Sequence, residues 1–260
     1  MTQTRVLDLQ GVHNFRDYGG YAVAGGGRVR RGVLWRSGQH FSATDSDLER
    51  IAALGLAAVY DLRSQRERTI DPCRRPQDFA ARIVFSDVDT RGVAPHVAAG
   101  AQVRSRDAAS MREALRRSYR TIPFRPGLVG MFRTYLAEQA DLDGASLINC
   151  MAGKDRTGFA VAMLHSVLGV HRDDVMADYL LTNTAGDVEA RIAAGGEAIR
   201  KTLGEIEREA LRALMAVEAE YLNTAYTVIN ERHGSLEAYL AAELGVDAAL
   251  QERLRARLVE

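Results

Sequence analysis

Apolar residues in the first 40 positions fall in short runs, Tyr21 to Val23 and Val29 to Trp35, broken by Gly19, Gly20 and the triple Gly25 to Gly27. That pattern predicts hairpins or irregular strands. From Thr44 the periodicity changes. Thr44 and Asp47 form an acidic variant of the capping box, Leu48, Ile51, Ala52 and Leu54 recur at helical spacing, and Gly55 stands where a helix ends. A helix over 45–54 follows. Leu56 to Leu62 is a continuous apolar run bounded by Gly55 and the charged RSQRER, which suits a buried parallel strand. Arg82 to Phe85 is a weaker strand. Residues 104–133 predict two helices broken near Pro123 and Pro126. Ala145 to Asn149 is a short strand leading through CMAGKDRTG into a helical run, Phe159 to Leu168, closed by Gly169. Beyond residue 172 the pattern is helical throughout, and there is no internal repeat.

Length and composition narrow the class. At 260 residues with 47% hydrophobic content, one domain with an appendage is expected. No N-terminal apolar core of a signal peptide and no membrane-length apolar run is present, so the chain reads as soluble and cytoplasmic, with secretion lacking a standard signal as the alternative. Cys73 and Cys150 are the only cysteines; they suit a reducing compartment and allow one bridge at most. The 34 basic and 34 acidic residues cancel, which excludes nucleic-acid or membrane binding by bulk charge. Within that zero lies a polarity: residues 1–150 carry 22 basic against 16 acidic, and residues 151–260 carry 12 against 18. All the basic residues are Arg except Lys154 and Lys201, and Arg is the better planar ligand for phosphate or carboxylate. An anion is therefore expected to meet the first half.

The candidate chemistry lies in Cys150, Met151, Ala152, Gly153, Lys154, Asp155, Arg156, Thr157 and Gly158. Strand, glycine-bearing turn and helix in succession make an anion site, because the N–H groups of a helix's first turn lack intrahelical partners. Five residues between Cys150 and Arg156 can wrap a phosphate with backbone N–H groups, Gly153 permits the close approach, and Arg156 can hold two oxygens. In that field the thiolate, the nucleophilic form, is favoured for Cys150. Thr157 is placed to hydrogen-bond the sulfur, Lys154 to meet a substrate phosphate. The bland alternative is an inert buried thiol at a strand end.

The sequence resembles the cysteine-dependent tyrosine phosphatases, in their atypical bacterial branch. The resemblance rests on CMAGKDRTG, on Asn14-Phe15-Arg16-Asp17 followed by Gly19-Gly20, on Trp35-Arg36-Ser37, on Asp61-Leu62-Arg63-Ser64 and on Ala177-Asp178-Tyr179-Leu180. It continues through Glu220-Tyr221-Leu222 and Gly234 to Leu240. It implies an α/β cysteine-dependent phosphatase fold: a central, mainly parallel sheet flanked by helices, with a helical C-terminal region in which 187–232 can form a lid. It also implies a metal-free mechanism without cofactor. The implied substrates are phosphotyrosine, phosphoserine or phosphothreonine, and phosphoinositides, the last associated with the lysine of such loops. A phosphate or sulfate is expected in the loop.

One departure matters: the family usually has His before the cysteine, where this chain has Asn149. Asn can shape the loop but cannot carry a positive charge, which predicts slower turnover or a higher optimum pH. The general acid has two candidates, Asp155 in the loop and Asp87 after the strand Arg82 to Phe85, with Asp89 beside it; Asp87 is preferred if its loop folds over the site, and Asp155 otherwise. Arg63 follows a strand's C-terminal end, where ligands sit in α/β sheets. Arg120 belongs to a Tyr-Arg pair similar to one in related chains. Arg16 and Asp17 read as structural partners, His165 as a core or boundary residue, and Cys73 as a thiol that could resolve an oxidised Cys150. A phosphate-binding module with little catalysis, and a sulfurtransferase, complete the alternatives.

Overall fold

The computed structural model describes residues 5–90, 107–193, 204 and 206–260. Lys201, His96 and the first three residues of the Arg-rich stretch 104–133 lie outside them. Five strands form one sheet: β1 (Arg16–Asp17), β2 (Leu34–Ser37), β3 (Leu56–Asp61), β4 (Arg82–Phe85) and β5 (Ala145–Asn149), in the spatial order β1-β2-β5-β3-β4. Only the β1–β2 pair is antiparallel; the others are parallel, as the apolar run Leu56 to Leu62 predicts. Among the described residues, the helices before β5 are α1 (Asp45–Ala52), α2 (Gln65–Ile70), α3 (Ala108–Thr121) and α4 (Pro126–Gln139), with a 3₁₀ turn at Ile122–Phe124 between the last two. After β5 come α5 (Asp155–Leu168), α6 (Arg172–Leu180), α7 (Thr182–Ala185), α8 (Val188–Ala193), α9 (Arg208–Met215), α10 (Ala219–His233), α11 (Leu236–Ala242) and α12 (Ala248–Leu258). This is the α/β architecture of a central, mostly parallel sheet flanked by helices.

Local chemistry accounts for most boundaries. The Thr44 side chain accepts from the Asp47 N–H while Asp47 accepts from the Thr44 N–H, so the acidic capping box does start α1. Gly169 ends α5 in the left-handed conformation. Gly25, Gly26 and Gly27 all have positive φ and turn the chain so that Ala22 bridges Arg28. Two expectations shift. The strand expected from Val29 begins at Leu34, because Gly32 turns with φ +76° and gives its N–H to Asp17 Oδ2 at 2.8 Å. The helix expected from Phe159 begins at Asp155, so Asp155, Arg156 and Thr157 form its first turn.

β5 is the centre of the sheet and is buried along its whole length. In register its last residue, Asn149, lies between Ser37 at the end of β2 and Asp61 at the end of β3. Three parallel strands therefore finish side by side, and the segments that follow them meet at one edge. The main core spans the sheet, α4, α5, α6 and α10 to α12. A second apolar cluster joins Met111 and Ala114 of α3 to Val188, Ile192, Leu211 and Leu214 of α8 and α9. The described residues of 187–232 thus fall in two groups: α8 and α9 share the second cluster with α3, whereas Tyr221, Leu222, Ala225 and Ile229 of α10 belong to the main core.

Phe159 fixes α5 against α4, its ring 5.3 Å from that of Phe132 and fully buried. Phe159→Ala should lower the free energy of urea unfolding by about 3–5 kcal/mol; a loss under about 1 kcal/mol would show that α5 is not seated through this ring.

Candidate active site

The segment from Cys150 to Arg156 leaves the buried end of β5 and runs into the N-terminus of α5. Gly153 sits at its bend with φ +65°, and a Cβ there would land 2.5 Å from Gly38 N as well as on the Ser37 carbonyl. Conformation and space both demand glycine. Its carbonyl accepts two hydrogen bonds from beneath, from Asn14 Nδ2 at 2.7 Å and Arg36 Nη2 at 2.9 Å. Because the peptide is planar and trans, holding that carbonyl toward Asn14 and Arg36 sends the Lys154 N–H the opposite way. Just past β2, Gln39 N donates to Met151 O at 3.0 Å; just past β3, Leu62 N donates to Asn149 O at 2.8 Å. At the far end, Gly158 lets α5 approach α6, since a Cβ would stand 2.9 Å from Tyr179 Cδ2.

Under the loop lies a buried charge cluster. Arg36 Nη1 pairs with Asp178 Oδ2 at 2.7 Å, and Arg16 Nη2 donates to the Asp178 carbonyl at 2.8 Å while its Nη1 bonds Asn14 Oδ1. Burial works against the Asp178 charge, but Arg16 and Arg36 outweigh it and hold the carboxyl far below the usual range. Burial, with Arg36 second, lowers Arg16 to about 10. Asp17 holds the N–H groups of Gly19 and Gly32 instead of Arg16. Three of the segments that carry the family resemblance, Asn14 to Asp17, Trp35 to Ser37 and Ala177 to Leu180, thus converge on one carbonyl.

Arg156 is oriented by a residue that sequence reasoning missed. Its Nη1 and Nη2 meet Glu67 Oε2 and Oε1 at 2.8 and 2.7 Å, and Nη1 also donates to Leu62 O at 3.0 Å. Glu67 is simultaneously the third residue of a Ser64–Glu67 capping box at the start of α2. The S-x-x-E spacing was the sign that could have found it. Burial raises the Glu67 carboxyl, yet the Arg156 charge and hydrogen bonds pull it down to about 2.

The other sequence candidates divide. Asp155 joins the site: Tyr119 Oη donates to its Oδ1 at 2.9 Å, and Lys154 Nζ lies 3.5 Å from the same oxygen. Lys154 itself is buried and donates to Leu214 O at 2.8 Å and Ala216 O at 3.3 Å, the C-terminal carbonyls of α9. Arg63 bonds its neighbours, with Nε and Nη2 on Asp61 and Nη1 on Asp71 O at 2.6 Å. Thr157 is fully buried, and among the described residues its hydroxyl bonds neither the sulfur nor any other partner. Asn149 Nδ2 lies 3.4 Å from Asp61 Oδ1, while the Asn149 Oδ1 is buried without a partner among the described residues. Asp87 and Asp89 are exposed and line a cavity with Gln65, Arg66, Thr69 and Ile70. Arg120 is exposed at the end of α3. Cys73 accepts the His40 N–H, Cys73 and Cys150 are free thiols, and His165 is a core residue bonded to Tyr18 O. Arg125, not anticipated, is half-buried ahead of α4; burial and then Arg156 lower it to about 10.

Cys150 thus stands at the end of the central parallel strand, the carbonyl of the loop that follows is pinned by Asn14 and Arg36, and Arg156 is fixed by Glu67 at the start of the next helix. The chain belongs to the tyrosine phosphatase family, whose profile matches residues 7–260. It is 35% identical over 248 residues to a Cupriavidus necator protein named as a candidate tyrosine-protein phosphatase, across 94% of this chain and 85% of that one. It is 32% identical over 285 residues to the triple specificity protein phosphatase PtpB of Mycobacterium tuberculosis, across 98% of this chain and 99% of the relative. The chain is a protein-tyrosine phosphatase. No helix among the described residues is long and apolar enough to cross a membrane.

Glu67 links this site to acid stability. Its folded carboxyl lies below the unfolded value, so its contribution is complete above about pH 5 and is lost as the pH falls toward about 2. Glu67→Gln should therefore flatten the decline of urea-unfolding free energy across that window; an unchanged slope would contradict the pairing. Removing Asp178 as Asp178→Ala leaves two buried guanidinium groups without their shared anion and should cost about 3–5 kcal/mol in the same assay.

Proposed function

We propose that the chain hydrolyses phosphate monoesters through a cysteinyl-phosphate on Cys150, with phosphotyrosine as the principal substrate. The observation that carries this reading is the loop from Cys150 to Arg156, its bend pinned by Asn14 and Arg36 and its arginine clamped by Glu67. In this reading the N–H groups of Met151, Ala152, Gly153 and Lys154 and the positive end of α5 receive the phosphoryl oxygens, Arg156 stabilises the charge that builds on them, and Cys150 attacks phosphorus. Glu67 fixes the guanidinium in place before substrate arrives, so its ordering is not a cost of the chemical step.

Asp155 is the proton donor in this reading. It stands in the loop, buried and held by Tyr119, whereas Asp87 is exposed at the edge formed by β4 and α2. The name of the mycobacterial relative, a triple specificity protein phosphatase, supports a range broader than phosphotyrosine, and this reading takes phosphoserine, phosphothreonine and phosphoinositides as its further members. The inward placement of Lys154, on the carbonyls of α9, favours a simple aryl phosphate first. We read residues 7–260 as one catalytic unit in which α8 and α9 form the lid-like part.

A weakly catalytic phosphate-binding module is the second reading, favoured by Asn149, whose buried Oδ1 has no partner among the described residues. Release of phosphate from p-nitrophenyl phosphate, a phosphotyrosine peptide and a phosphoinositide, with Cys150→Ser as the control, separates the two. Turnover of the phosphotyrosine peptide that Cys150→Ser abolishes is expected; release no greater than the control on all three would leave the binding module. Replacing Asn149 by His should move the iodoacetate alkylation profile of Cys150 to lower pH, since imidazolium at that position favours the thiolate. Identical profiles would remove Asn149 as a cause of slow turnover.

A further inference from the structure

We propose that Tyr119, backed by Tyr179, is the positioning residue for the proton donor: its hydroxyl fixes one oxygen of Asp155 and stabilises the carboxylate left when the proton has gone to the leaving group. This rests on the reading of Asp155 as the acid.

The geometry has a direction. Tyr119 Oη donates to Asp155 Oδ1 at 2.9 Å, and the Tyr119 and Tyr179 hydroxyl oxygens are 2.6 Å apart. Tyr119 has one proton to give. When it goes to Asp155, the short contact is completed by Tyr179 donating to Tyr119. The chain Tyr179 to Tyr119 to Asp155 ends on an acceptor, and a carboxylate is the acceptor that strengthens it most. Both rings are fully buried, Tyr119 brought by α3 and Tyr179 by α6, and Gly158 provides the space in which Tyr179 meets α5. Burial first, and then the Asp155 charge, hold both phenols well above their usual range, so they remain donors throughout the working pH. The other groups facing Asp155 are Lys154 and Arg156 from its own segment, Arg125 ahead of α4 and Tyr221 from α10. Among the described residues only Tyr119 hydrogen-bonds it.

In the first half-reaction the Cys150 sulfur bonds phosphorus as the ester P–O bond breaks, the electron pair leaves with the ester oxygen, and the Asp155 proton goes to that oxygen. The resulting carboxylate takes up the Tyr119 hydrogen bond. In the second, water attacks phosphorus, its proton returns to Asp155, and the S–P bond breaks to restore the thiolate and release phosphate.

The test compares kcat for wild type, Tyr119→Phe, Tyr179→Phe and Asp155→Asn on p-nitrophenyl, phenyl and alkyl phosphates across the pH range. Tyr119→Phe keeps the ring and removes only the donor. Its kcat should fall about tenfold on phenyl phosphate and less than about threefold on p-nitrophenyl phosphate, whose leaving group needs little help, and the high-pH limb of its profile should move upward. Tyr179→Phe should shift both readouts the same way by less, and it serves if Tyr119→Phe folds poorly. A uniform loss across leaving groups with the limb unmoved reduces Tyr119 to packing and overturns the proposal. The two readings separate through Asp155→Asn. If that variant keeps the limb, the acid assignment fails and the inference with it; if it loses the limb while both Phe variants match wild type, only the inference fails.

Discussion

Everything in the site depends on how one peptide carbonyl is held. The Gly153 C=O is gripped by Arg36 and Asn14, and those two are fixed by Asp178 and Arg16, all of them buried. Two guanidinium groups sharing one carboxylate is an expensive arrangement in a protein interior, and well-packed apolar residues of the same volume would often be as stable. Its value lies in geometry. A backbone loop that must present N–H groups on one face needs its carbonyls taken up on the other, and a carbonyl facing a charged donor is held more firmly than one facing water. The cluster therefore shapes the Cys150-to-Arg156 loop through the one carbonyl it holds.

The same logic explains which parts of the sequence were legible. The succession of short apolar strands, glycine turns and helices is local information, and it places β3, β4 and β5, α1 and the end of α5 close to where they are. The start of α5 is displaced because Asp155, Arg156 and Thr157 read as polar loop, although an acidic first residue is what a helix N-terminus favours. The Cys150-to-Arg156 loop was legible as a unit, since its residue types and spacing are contiguous. What supports it was not. Arg16 and Asp178 lie 162 positions apart, and Arg156 and Glu67 lie 89 apart. Nothing in either neighbourhood says that these residues meet. Arg63 shows the limit: its place after a strand suits a ligand, yet Asp61, two residues earlier, takes its fork.

The charge polarity of the chain has a related origin. The excess of Arg in the first half suggested a positive surface awaiting an anion. Much of that excess instead meets acids of the second half within the fold. Arg16 and Arg36 meet Asp178, Arg112 meets Glu218 at 2.7 Å, Arg116 meets Glu220 at 3.0 Å, and Arg30 meets Glu260 at 3.8 Å. The pairs between α3 and α10 are partly exposed and add little stability individually. Together they describe a chain whose two halves carry complementary charge because they pack on one another.

Lys154 brings these constraints to bear on substrate. As one of two lysines in the chain, inside the loop, it suggests affinity for a second phosphate. Its ammonium, however, already sits at the negative end of α9 and donates to two carbonyls there, beside Asp155. A substrate with an additional phosphate gains a charge-assisted bond to Lys154 only by taking the ammonium from α9, so its net gain is the difference between two sets of strong donor–acceptor contacts. That difference is governed by how firmly α9 rests on α3 through Leu211, Leu214 and Met111, not by the lysine alone. Two chains with the same loop can therefore differ in preference for multiply phosphorylated substrates if the apolar seating of this helix differs.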